Sequence, residues 1–236
     1  MTTSKVRSFS GVATVAREIV VHTAHKLNWC CIAGSIQHPD KGKRFDISGD
    51  TNQLAGIDDS SVFLYPVDGY GDTTFIRNMI KLEKPDTIML ITDPRYFTWL
   101  FNVENEIRKK IPITYLNIWD SPVPYPLWNK PFYESCDLLM GISKQTVNIN
   151  KVVLGDKADK KIIKYIPHGL NENVYFPITK DSPNYSEFRQ FKQQLFGNKE
   201  YDFVLFFNSR NIRRKQIPDT ILAFRMFLDT LPKEKV

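Results

Sequence analysis

Long apolar runs are missing from this chain. None approaches the roughly 20 residues that a bilayer-spanning helix needs, so no transmembrane span is expected. The opening "MTTSKVRSFSG" holds no apolar core segment, and no signal peptide is read there. Cysteine is scarce: Cys30, Cys31 and Cys136 include one adjacent pair and no C-x-x-C, and the four histidines are scattered. This makes a poor disulfide framework and argues against a structural zinc site; no cofactor is expected. Asn184-Tyr185-Ser186 matches a glycosylation acceptor but, without a secretion signal, is read as coincidence. Together these absences describe a reduced, cytoplasmic protein.

What is present describes a globular one. Of 236 residues, 42% are hydrophobic and 13% aromatic, far from a disordered composition. That length suits one large domain, or one domain and part of another. Charge is unevenly placed. Residues 1–150 carry 16 basic and 16 acidic side chains, so the whole net charge of +6 falls in 151–236. A local positive excess suits an anionic partner (a phosphate, an acidic lipid surface or nucleic acid), and equally a solvated basic face.

Hydrophobic periodicity predicts helices over 12–27, 73–84, 95–110, 144–154, 185–196 and 217–231, with a short one after the proline-rich "DSPVPYP". Ser143 is placed to cap the helix 144–154. Compact apolar runs predict strands at 29–34, 62–67, 86–92, 113–119, 138–142, 161–167 and 203–207. Such alternation, with near-continuous apolar strands, argues an α/β fold with a Rossmann-like, doubly wound parallel sheet. "KDSPN" (180–184) is the best linker. A loop where an opening strand belongs, and a single strand–helix unit after the linker, make the chain an expected fragment.

The stretch "FVLFFNSRNIRRKQIPDTILAF" (203–224) carries the chemistry. In open parallel sheets ligands sit beyond the carboxyl ends of strands, where helix N-termini point free amides. Arg210 and Lys215 fall there. An arginine fork and a lysine point charge are able to hold two linked phosphates. Alternatively Arg210, Arg213, Arg214 and Lys215 merely solvate a loop.

This stretch resembles the start of the second domain of retaining glycosyltransferases of family four, the group 1 transferases of GT-B fold. There a strand ends in Gly-Arg, a Lys follows five residues on, and a helix comes next. Here Ser209-Arg210 and Lys215-Gln216 stand for Gly-Arg and Lys-Gly, so both glycine positions depart from the pattern. "ESCDLLMGISKQTVNIN" (134–150), "YIPHGLNENVYFP" (165–177) and "SFSGVATVAREIV" (8–20) are similar to further family segments, in the same order. The resemblance implies an acceptor-side Rossmann-like domain over 1–177. A linker and the incomplete start of a nucleotide-sugar-binding domain would then occupy 178–236.

It also implies roles. Arg210 and Lys215 would grip the diphosphate of a nucleotide-sugar donor, with Gly11 in the first loop approaching the phosphates or acceptor. Asp93, in "ITDPRYF", stands where many relatives carry a histidine near the sugar, and is equally read as a helix N-cap before Pro94. Asp120, beside Trp119 and Tyr125, suits a sugar hydroxyl or, as readily, a turn ahead of Pro122. These two acids are the catalytic candidates. His168 takes a place usually held by asparagine and is not read as catalytic. The family's Glu-x7-Glu pair has no counterpart in 216–236.

The expected function is therefore transfer of a sugar, with retention and without a metal, from a nucleotide diphosphate sugar to an acceptor hydroxyl on a glycan, a lipid-linked molecule or a small molecule. Peripheral contact with the inner membrane face is compatible with this, and nucleic acid is not an expected partner. The alternatives are a phosphate- or nucleic-acid-binding module, or another GT-B enzyme such as a sugar-nucleotide epimerase.

Overall fold

A computed structural model describes residues 11–34, 39–121, 123–197, 199, 201 and 203–232. Two compact units divide the chain, one ending at Glu172 and the other beginning at Asn173.

The first unit opens with α1 (Gly11–Thr23), β1 (Trp29–Ala33), the two-residue β2 (Phe45–Asp46), α2 (Ser48–Ala55), β3 (Val62–Pro66) and α3 (Thr73–Glu83). Then come β4 (Ile88–Ile91), the short helices α4 (Thr98–Phe101) and α5 (Glu104–Ile107), β5 (Ile113–Asn117), α6 (Lys130–Glu134), β6 (Leu138–Gly141), α7 (Lys144–Leu154) and β7 (Ile162–Tyr165). Among the described residues the strands form two sheets. β1 lies parallel to β3, which pairs on its other side with antiparallel β2, and β4-β5-β6-β7 form an all-parallel sheet in chain order. The unit is mixed α/β, and its four-stranded parallel sheet is compatible with a Rossmann-like fold.

Parallel strands joined by crossover helices must be covered, and their composition follows from that. Ile113, Tyr115 and Leu116 of β5 are buried, as is Leu139 of β6. One core spans both sheets, running from Tyr65 of β3 through Ile76 and Met79 of α3 to Leu90, Leu139 and the α7 residues Ile149, Val153 and Leu154. Helix starts are set locally. The Asp72 carboxylate accepts the Phe75 amide at 2.8 Å to open α3, and the Ser143 hydroxyl accepts the Thr146 amide at 2.9 Å to open α7.

Two expectations need correction. The predicted helix 95–110 is broken into a 3-10 turn (Pro94–Phe97), α4 and α5. Bulky Tyr96, Phe97, Trp99 and Phe101 are satisfied at different places, Tyr96 stacking on Tyr70 while Phe101 meets Phe132, and one straight helix would not present them so. The predicted strand 203–207 does not form. A strand needs a neighbour to take its amides and carbonyls, and among the described residues of the second unit there is none. Conversely, β2 and α2 arise from 45–55, a stretch too short and too polar to show an apolar period.

The second unit contains α8 (Tyr185–Phe196) and α9 (Ile217–Asp229), neither with a buried residue. Ring contacts between Phe203 and both Phe224 and Phe227 hold 203–207 beside α9. No helix among the described residues is long and apolar enough to cross a membrane.

Candidate functional site

The carboxyl ends of β3, β4 and β5 carry the densest chemistry in the first unit. Just past β4 comes Thr92, whose φ of 91° is a backbone conformation that β-branched residues rarely adopt. The buried Tyr115 hydroxyl of β5 donates to the Thr92 carbonyl at 2.7 Å and lies 3.3 Å from Asn117 Oδ1. Asn117 Oδ1 also accepts the Trp119 amide at 2.9 Å, while its Nδ2 donates to Asn150 Oδ1 of α7 at 2.5 Å. Asn117 and Asn150 are both fully buried. Asn150 Nδ2 finds no partner among the described residues, but the bonds made by Tyr115 and Asn117 tie the loops beyond both strands to the core.

Asp93 caps the turn that follows, accepting the Arg95 amide at 2.9 Å. The Arg95 guanidinium also lies on both carboxylate oxygens, at 2.9 and 3.1 Å from Nε and 2.5 Å from Nη2. Partial burial pushes the Asp93 carboxyl up, but the hydrogen bonds and charge of Arg95 outweigh it and hold the group below its ordinary range. Asp93 is thus a carboxylate whose acceptor sites are already engaged. Arg95 in turn stands 5.5 Å from the centre of the Trp119 ring, within cation–π reach, and Trp119 meets Trp128 edge to face. Tyr96 and Tyr70 stack at 4.3 Å, bringing the loop after β3 against the turn after β4. Gly34 belongs to the same edge: a Cβ there would lie 2.6 Å from the Gly69 carbonyl oxygen.

Asp120 is exposed one residue past Trp119, and its carbonyl accepts from Gln145 Nε2 of α7 at 2.9 Å. Its carboxylate makes no hydrogen bond or ion pair among the described residues. Asp93 and Asp120 therefore follow neighbouring strands, with Arg95 and Trp119 linking their loops. Gly11 is the first residue of α1, and a Cβ there would meet nothing within 4 Å, so no packing demands a glycine. Residues 8–10 of the glycine-loop resemblance lie outside the described residues. His168 is exposed.

Arg210 and Lys215 belong to the second unit. Both are exposed, Arg210 in the loop after 207 and Lys215 closing a 3-10 turn (Arg213–Lys215). Gln216 follows at φ 48°, ψ 47°, a left-handed conformation that glycine adopts most easily, and α9 begins at the next residue.

Arg95 and the Tyr70–Tyr96 stack were not foreseen. The signal available was the Asp-Pro-x run, since an Asp N-cap with proline at the next position leaves the second residue's amide, and its side chain, beside the carboxylate. Nothing in the sequence marks the backbone of Thr92. Among the described residues no three His, Cys, Asp or Glu side chains gather as metal ligands do. No protein-family model matches the chain, and comparison with curated proteins finds no match either.

Proposed function

We propose that this chain is the acceptor-side domain, with the opening of the donor-side domain, of a retaining glycosyltransferase of GT-B type. The observation that carries the reading is the left-handed Gln216 between Lys215 and α9. The resembled pattern places glycine there, and Gln216 holds the left-handed conformation that glycine adopts most easily, at a cost of about 1 kcal/mol for a residue with a side chain. Two supports lie in the first unit: a four-stranded parallel sheet, and at its carboxyl edge two acids among exposed aromatic rings, Trp128 and Tyr125 among them.

In this reading Arg210 and Lys215 neutralise the charge that grows on the departing diphosphate as the transition state becomes oxocarbenium-like. Asp120 takes an acceptor hydroxyl proton into a hydrogen bond. Asp93 does so when Arg95 turns aside, and otherwise keeps Arg95 over Trp119. Trp119, Trp128 and Tyr125 cover the apolar faces of sugar rings. No metal ion is required, because side-chain cations do its electrostatic work.

Titration calorimetry of the whole chain with UDP and with GDP tests this. One of the two binds, binding persists in EDTA, and Arg210→Ala or Lys215→Ala weakens it roughly 10- to 150-fold, the scale of a charged hydrogen bond. Affinity unchanged by both substitutions removes them from any diphosphate site. Binding to duplex DNA that falls steeply with salt, with no nucleoside diphosphate bound, would instead favour a nucleic-acid-binding module.

A further inference from the structure

Among the described residues four buried side-chain atoms find no hydrogen-bond partner, and two of these, Asn129 Oδ1 and Asn150 Nδ2, belong to one cluster of the first unit. Both residues are fully buried, at 0% exposure. The cluster joins three elements. Asn117, at the end of β5, donates through Nδ2 to Asn150 Oδ1 of α7 at 2.5 Å. Asn129, one residue ahead of α6, donates through Nδ2 to the Tyr133 hydroxyl of that helix at 3.4 Å. Burial pushes the Tyr133 phenol above its ordinary value, against hydrogen bonding from the Asn129 and Asn117 side chains, so both amides meet the same hydroxyl. Asn129 and Asn150 are thus each linked to Asn117, the one through Tyr133 and the other directly.

The two unpaired atoms are opposite in kind: Asn129 Oδ1 accepts and Asn150 Nδ2 donates. No hydrogen bond joins them to each other. A cation would suit the oxygen and be repelled by the amide hydrogens, and an anion would do the reverse. A small neutral molecule that both donates and accepts meets both, and buried polar atoms in folded proteins are commonly met in this way. We propose that an ordered water molecule is bound between the start of α6 and α7, donating to Asn129 Oδ1 and accepting from Asn150 Nδ2. The water has a mechanical consequence at the candidate site. Asn117 Oδ1 takes the Trp119 amide at 2.9 Å and so anchors that residue to the core. Asn129 directly follows Trp128, whose ring meets that of Trp119, and the water anchors this second tryptophan to the same α7 side chain. Asn150 then serves both, Asn117 through its oxygen and Asn129 through its nitrogen by way of the water. The inference rests on hydrogen-bond pairing alone and is independent of the reading as a transferase.

A crystal structure of the whole chain, at a resolution where ordered waters are placed, is the first test. A water is expected at about 2.7–3.2 Å from both Asn129 Oδ1 and Asn150 Nδ2. In solution, oxygen-17 magnetic relaxation dispersion counts waters held long in the interior. Asn129→Leu leaves the Asn117–Asn150 bond in place, and is expected to lose one such water. Amide exchange at Trp128 and at position 129 should rise by about tenfold in the same variant, the effect of one lost buried hydrogen bond. Where Asn129→Leu fails to fold, the crystal structure of the parent chain decides alone. A direct bond between the two asparagines, a water touching only one of them, an ion in its place, or an unchanged count of long-held waters in folded Asn129→Leu would each overturn the proposal.

Discussion

Single residues here decide whether buried polarity is an asset or a fault. Asn117 joins β5 to the Trp119 loop and to α7 through bonds that no apolar residue replaces. Asn117→Ala leaves the Asn150 oxygen and the Trp119 amide without partners, and is expected to lower stability by about 2–4 kcal/mol in urea denaturation. Thr92 is the opposite case. Its φ of 91° is a strain of about 1–3 kcal/mol. Thr92→Gly should therefore raise the thermal midpoint of the first unit, and an unchanged or lower midpoint would show that the methyl and hydroxyl contacts outweigh the backbone. Asp137 supplies a pH signature. Burial pushes its carboxyl up, but hydrogen bonds from Arg108 and the Ile113 amide, with the charge of Arg108, bring it below the ordinary range. A carboxyl depressed by folding contributes stability above its unfolded pKa of about 3.9, and that contribution disappears as pH falls through the lower folded value. Urea midpoints at pH 3 and pH 6 should accordingly converge in Asp137→Asn relative to the parent chain.

Elements show where sequence reading succeeds and where it fails. Helices α7 and α8 end where periodicity and capping say they should, at Lys144–Leu154 and Tyr185–Phe196, because each carries its own boundary: a Ser143 cap in one and a Gly197 stop in the other. Ser143→Ala should cost about 1 kcal/mol and fray the first turn of α7, visible as faster amide exchange at Thr146. The β6–α7 turn is tight as well. A Cβ at Gly141 would stand 2.8 Å from a Val147 methyl and 2.9 Å from the Val147 amide nitrogen, so Gly141→Ala forces backbone movement. The strand 203–207 fails for the opposite reason. Its composition is ideal, but a strand is a property of two segments, and no second one is present among the described residues of its unit. The candidate site divides along the same line. Asp93 as an N-cap was legible from Pro94, whereas Arg95 gripping both its oxygens depends on a turn geometry that composition does not encode.

The whole molecule is two bodies of unequal quality. One buries aromatic and aliphatic side chains across two sheets; the other buries none among the described residues and leaves most of its apolar side chains exposed. Stability should follow that division. Lys180 sits exposed in the turn ahead of α8. Brief trypsin treatment is expected to cut there first and leave a resistant fragment ending at Lys180, identified by its mass. Early cleavage within 88–165 would mean that the parallel sheet is not the stable part. Charge is uneven too: residues 173–236 carry +4 of the net +6 and residues 1–172 the other +2, so salt should affect binding by the second unit more than the integrity of the first.

The register of the four-stranded sheet bears on how the chain is made. Partners Ile88 and Ile113, Thr114 and Leu138, and Leu138 and Ile162 are 25, 24 and 24 residues apart. Each strand pairs with the one synthesised just before it, and none is inserted between two already in place. A chain leaving the ribosome can therefore add one strand per crossover at nearly constant loop-closure entropy, each time at the edge formed last.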